Sequence, residues 1–143
     1  MRQLRKYRAL APAGRGLVAG HLVLLPVVAL LLRVRGLART IALLERRAAH
    51  GGGVPSVLAP REIARLVDAP AALLRIGCLP RSLVLWHSLR VRGIPSEIRR
   101  GVSKCAADGL AAHAWVEHEG RPLNDRPDVT ERFAVLPAVF AGH

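Results

Sequence analysis

The segment between Gly77 and Pro95 limits the fold most strongly. Pro80 suits the first turn of a helix, where its missing N–H removes no bond, so a helix is expected to start at Cys78 or Leu79. It runs to about Arg92; Gly93 and Pro95 stop it, and Arg90 and Arg92 sit at its negative end. Between those ends Leu83, Val84, Leu85, Trp86, Leu89 and Val91 point almost all the way round. A helix apolar on nearly every side is a buried central helix, so the rest of the chain has to wrap it. Its first residue would be held firmly by the core, and Cys78 stands at that start.

Ahead of this helix the chain is basic. Residues 1–44 contain no acidic side chain, and an apolar run of 16 residues, Leu17 to Leu32, lies between Arg2, Arg5, Lys6, Arg8 and Arg15 on one side and Arg33, Arg35 and Arg39 on the other. The run is just short of a membrane span. It holds His21 and Pro26, and Pro26 is expected to kink or divide a helix there. The leading reading is a helical segment packed on the protein's own core or on a partner; a membrane-surface helix flanked by Arg is the next. Thr40 to Ala49 reads as helix, and Gly51-Gly52-Gly53 ends it. His50 to Ser56 is the best linker, dividing a basic helical segment, 1–50, from a domain over 57–143. The helical pattern resumes at Arg61 through Ile63, Leu66 and Val67, breaks near Pro70, and returns in a short piece, Ala71 to Ile76.

After Pro95 the period changes to that of strands. Ser96–Val102, Ala112–Glu117 and Arg121–Asp125 are expected strands, with a small polar loop over Ser103–Leu110. Phe133–Phe140 is apolar with Pro137 inside, an edge strand or a packing tail. The class is α+β: helices first, then a buried helix packed on a small antiparallel sheet.

Charge and cysteine count narrow the function. The 143 residues carry 22 basic against 10 acidic side chains, and all the basic ones but Lys6 and Lys104 are Arg. Such a balance suits nucleic acid, an anionic membrane or an acidic partner. No nucleic-acid motif accompanies it, and aromatics are too few for a stacking platform, so nucleic acid is set aside. Cys78 and Cys105 do not make a disulfide framework in a chain of this size, and no small-residue cleavage site follows the first apolar run. A reducing cytoplasm is the expected location, with membrane association through residues 1–44 as an added option. Nothing in the reading calls for a cofactor or a metal.

Three residues form a candidate site in chain order. A thiol attacks a carbonyl only as thiolate, and the positive end of a helix favours negative charge, which suits Cys78. On a strand, His113 shares a face with Trp115 and Glu117, whereas His118 takes the other face. For Asp125 the turn decides. A two-residue turn at Glu119-Gly120 requires positive φ at Glu119, and it sets His113 opposite Arg126. A three-residue turn, His118-Glu119-Gly120, is therefore expected, with Val116 facing Pro122. His113 then lies opposite Asp125 with Cβ atoms about 5 Å apart, so the carboxylate can fix the imidazole as a triad's third member does.

Cys-Leu-Pro-Arg-Ser-Leu at 78–83, Gly93-Ile94-Pro95 after an Arg-rich helix end, His-Ala-Trp-Val-Glu at 113–117 and Asn-Asp at 124–125 together resemble the lasso-peptide leader peptidases. That family is a transglutaminase-like branch of papain-type folds, and the likeness covers about half of the chain, Arg61 to Asp125. It implies a papain/transglutaminase-like core and a cysteine protease that removes the leader from a ribosomally made precursor. Cys78 would be the nucleophile, His113 the base and later the acid, and Asp125 the orienter; Cys105 matches no catalytic position. The implied partners are the precursor peptide, a small leader-recognition protein and a separate ATP-dependent cyclase. Two other readings stand beside this one: a thiol acyl or amide transferase of the same fold, and a non-catalytic basic adaptor docking a membrane or an acidic partner.

Overall fold

The computed structural model describes residues 12–51, 56–105, 107, 109 and 111–137. The chain forms α1 (Pro12–His50), α2 (Pro60–Leu73), α3 (Cys78–Val91), β1 (Glu97–Ser103), β2 (Ala112–His118), β3 (Arg121–Pro122), α4 (Val129–Arg132) and β4 (Phe133–Val135). The strands make one antiparallel sheet in the order β3-β2-β1-β4. The expected loop tip over Ser103–Leu110 and the end of the Phe133–Phe140 segment lie partly outside the described residues.

Helix α3 is the centre. Leu83, Val84, Leu85 and Leu89 are fully buried, and they share one core with Leu25, Val28, Ile41 and Leu44 of α1, Ile63, Val67 and Ala71 of α2, and Val116 of β2. That core takes side chains from α1 and from the elements after Pro60, so both parts of the chain bury the same surface. Two further α3 residues are buried although polar, Ser82 and Ser88. Buried hydroxyls require partners, and both have them.

Ser88 Oγ lies 2.8 Å from His21 Nε2, and His21 Nδ1 lies 3.1 Å from the Leu66 carbonyl. A carbonyl only accepts, so Nδ1 carries the proton and Nε2 accepts from the serine. This accounts for the first departure from expectation. The helix does not break at Pro70: α2 runs unbroken from Pro60 to Leu73. The carbonyl that Pro70 cannot bond is that of Leu66, four residues back, and His21 supplies its donor from α1. The helix ends instead in a Schellman turn, with Arg75 left-handed at φ 53° and the Ile76 N–H on the Ala71 carbonyl at 2.9 Å.

The second departure is in α1. Pro26 neither divides nor ends the helix; its ring is exposed while Leu25 and Val28 beside it are fully buried. The break falls at Gly36, where φ 77° and ψ 173° are open to glycine and costly for other residues. Beyond it the Thr40 hydroxyl donates to the Gly36 carbonyl at 2.8 Å, and Ile41 and Leu44 return to the core.

Candidate active site

The first turn of α3 begins as expected, with Gly77 as an extended N-cap and Cys78 as the first helical residue. Cys78 is half-buried; Cys105 is exposed in the loop after β1, and both thiols are free. One turn on, about 6 Å along the axis and on the same helix face, stands Ser82. Its hydroxyl donates to the Ala114 carbonyl at 3.1 Å and accepts from Asn124 Nδ2 at 3.0 Å. Asn124 Oδ1 in turn accepts from the Val116 N–H at 2.8 Å. Helix α3, strand β2 and the segment after β3 are thereby tied through one buried amide, at the residue that follows His113.

His113 and Asp125 meet. The Nε2 of His113 is hydrogen-bonded to Oδ2 of Asp125, while Oδ1 accepts from the Arg126 N–H at 2.7 Å and from Arg132 Nη2 at 2.9 Å. Burial, the strongest single influence, pushes the Asp125 carboxyl upward. The His113 and Arg126 hydrogen bonds, with the charges of His113 and Arg132, outweigh it and hold the group below its ordinary value. The imidazole ring stacks on Phe133, centroids 4.8 Å apart, and lies 6.0 Å from the ring of Trp115. With Nε2 on the carboxylate, Nδ1 is the ring nitrogen left for exchange with a nucleophile. Among the described residues, the Cys78 thiol makes no hydrogen bond to His113. Helix α3 carries it one turn from Ser82.

The route by which Asp125 reaches His113 differs from the one expected. The turn has two residues, not three: Glu119 at φ 51° and Gly120 at φ 72° join His118 to Arg121, and Glu117 pairs with Pro122. Both signs fit a type I′ turn, whose twist matches that of the flanking strands. Glu119 accepts a left-handed backbone to keep that twist. Strand β3 then ends at Pro122, short of the expected Asp125. The Leu123 N–H still bonds the Val116 carbonyl at 2.9 Å, but the Val116 N–H takes the Asn124 side chain. The chain leaves the ladder there, and Asp125 comes to His113 from outside it.

Four neighbours of the site escape a reading from sequence. Ser82 and Asn124 are the joint; the signal for Ser82 was a hydroxyl on a helix buried all round. Arg132 and Phe133 come from α4 and β4, where α4 is only four residues and too short to show a period. Asp68 on α2 is a fifth neighbour, and a charged one. Its carboxyl is raised, first by burial, against the opposing pull of Arg81, with the charge of Asp125 adding to the rise. Arg81 Nε stands 3.6 Å from Asp68, and its Nη2 donates to the Asn124 carbonyl at 3.3 Å. Among the described residues, no group of three or more His, Cys, Asp or Glu is placed to hold a metal ion.

A buried helix headed by cysteine, packed on a small curled antiparallel sheet, defines the class as α+β. The family model described as the transglutaminase-like superfamily matches residues 22–138, and the chain belongs to that superfamily. Its members are often cysteine proteases or transferases. No curated protein and no solved structure matches the chain significantly.

Proposed function

We propose that this chain is a cysteine endopeptidase that removes the leader from a ribosomally made lasso precursor peptide. The observation that carries the reading is the His113–Asp125 pair, beside the Ser82–Asn124 bond that ties helix α3, which Cys78 heads, to the segment holding Asp125. His113 takes the thiol proton of Cys78 through Nδ1, and the thiolate attacks the carbonyl that joins leader to core. The tetrahedral oxyanion accepts from the Cys78 backbone N–H, one of the unbonded donors of the helix start. The imidazolium, stabilised by Asp125, gives its proton to the departing amine of the core, which leaves a leader thioester on Cys78. Water, deprotonated by His113, then hydrolyses the thioester and restores the thiol.

A small recognition protein presents the leader, and the freed core amine passes to a separate ATP-dependent cyclase, all in the cytoplasm. The test incubates wild type, Cys78→Ala, His113→Ala and Asp125→Asn with a precursor and its recognition partner and reads the products by mass. Wild type is expected to release the leader and the first two variants to release none. Asp125→Asn, which keeps the shape and loses the charge, is expected to lower kcat by about 10³–10⁴-fold. Leader release by Cys78→Ala overturns the proposal, and a product joined to an added amine replaces hydrolysis by amide transfer.

A further inference from the structure

The outer face of α1 is unlike the rest of the surface. Val23, Val27, Leu30 and Val34 recur at helical spacing and are 66, 45, 61 and 72% exposed. From Gly16 to Leu32, about 25 Å of helix, no charged side chain occurs, and the single histidine there, His21, points into the core. The helix is long and apolar enough to cross a membrane, with a mean hydropathy of 2.3 over its most apolar window, yet only 22% of that window is buried. At the C-terminal end of the stripe, Leu30 and Arg33 line a groove of about 520 Å³ with Arg75, on the loop that leads into α3. Arg33, Arg35, Arg39 and Arg75 are all exposed.

Helix α1 cannot leave the protein to span a bilayer, because its opposite face supplies Leu25, Val28 and the His21 hydrogen bonds to the core. A second copy is a poor occupant as well, since each chain carries a formal charge of +12. The stripe offers no donor or acceptor that would set the register of a protein partner. What it offers is continuous apolar area with a cationic end, which is what an anionic lipid surface recognises. We propose that α1 lies flat on an anionic bilayer, with the Val23–Val34 stripe at the acyl–headgroup boundary and Arg33 and Arg75 on lipid phosphates. The seat is independent of the chemistry at Cys78.

The full chain is sedimented with vesicles of phosphatidylcholine alone and of phosphatidylcholine with an equal part of phosphatidylglycerol. Binding is expected only with the anionic vesicles and weakens as salt is raised. Val27→Ser/Leu30→Ser and Arg33→Gln/Arg75→Gln each lower it at least about tenfold, with melting curves close to wild type because all four side chains are exposed. Binding that ignores phosphatidylglycerol, or that survives both double variants, overturns the proposal. So does capture by poly-glutamate beads with none by vesicles, which assigns the face to an acidic protein.

Discussion

Ser82 of helix α3 and Asn124 of the segment after β3 are hydrogen-bonded at 3.0 Å in a seam where both side chains are buried. Asn124 serves both sides of it, since its amide donates to Ser82 while its carbonyl oxygen accepts from the Val116 N–H. It is also the neighbour of Asp125, so the joint that fixes the helix also places the carboxylate.

Asn124→Ala leaves the buried Val116 N–H and the Ser82 hydroxyl each short of a partner. A loss of about 2–4 kcal/mol is expected, since each orphaned group costs about 1–3. Urea unfolding measures it. Asn124→Asp keeps the acceptor but cannot donate, so it should lie between the two, and its leader-release kcat should fall further than its KM changes.

Acidification is expected to weaken the fold in two separate windows. Burial holds His21 below its ordinary value against the Leu66 carbonyl bond, with Arg92 and His87 adding to the depression. His87 is lowered in the same way, by burial first and then by Arg47 and Arg92, against a bond to Leu44. Both stay neutral in the folded protein while the unfolded chain binds protons below about 6.5, so stability is full above that pH and declines beneath it. The lowered Asp125 carboxyl acts later: its contribution is present above about 3.8 and is lost as pH falls through the folded value. Asp68, being raised, works the other way: the folded protein takes up that proton above about 3.8, which offsets part of the first decline. Thermal melts between pH 8 and pH 5 should show the first decline, and His21→Gln should flatten it while lowering the melting temperature at pH 8. A flat wild-type profile in that range removes the account.

Glu119→Asn is expected to stabilise the protein by about 0.5–1 kcal/mol, because Asn tolerates the left-handed backbone that Glu119 adopts before Gly120. A rise of several degrees in Tm would accompany it. No gain would point back to a three-residue turn.

Gly101→Ala tests the other side of the imidazole. Gly101 pairs with His113 across β1 and β2, and an added Cβ would meet the Ala134 carbonyl and Phe133 Cβ at 2.9 Å. Backbone cannot yield cheaply at that distance, so β4 must shift and carry Phe133 off the ring it stacks on. A stability loss of about 1–3 kcal/mol and a larger fall in kcat than in KM are expected from steady-state kinetics.

Much of this architecture is legible in residue order, and the failures share one cause. The start and stop of α3 follow from Gly77, Pro80, Gly93 and Pro95, which act locally, and strands β1 and β2 follow from their alternation. Pro26, Pro70 and the Glu119 turn each carry a local penalty that residue order shows by itself. At Pro70 a histidine 49 residues upstream repairs the lost bond, and at Glu119 the twist of the ladder outweighs one strained φ. A three-residue turn would set His113 opposite Asp125, but that register does not exist. The meeting arises because Asn124 breaks the ladder, and no periodicity encodes that.

The Leu66 carbonyl has one further implication. It is left open by Pro70, taken by His21, and His21 is completed by Ser88, so three residues on three helices answer to one missing proton. Replacing Pro70 by alanine would restore a local donor and leave the imidazole redundant, so the penalty for His21→Leu should shrink in that background. Among descendants of this chain, positions 21, 70 and 88 should therefore change together: a lineage that loses the proline is released from keeping the histidine.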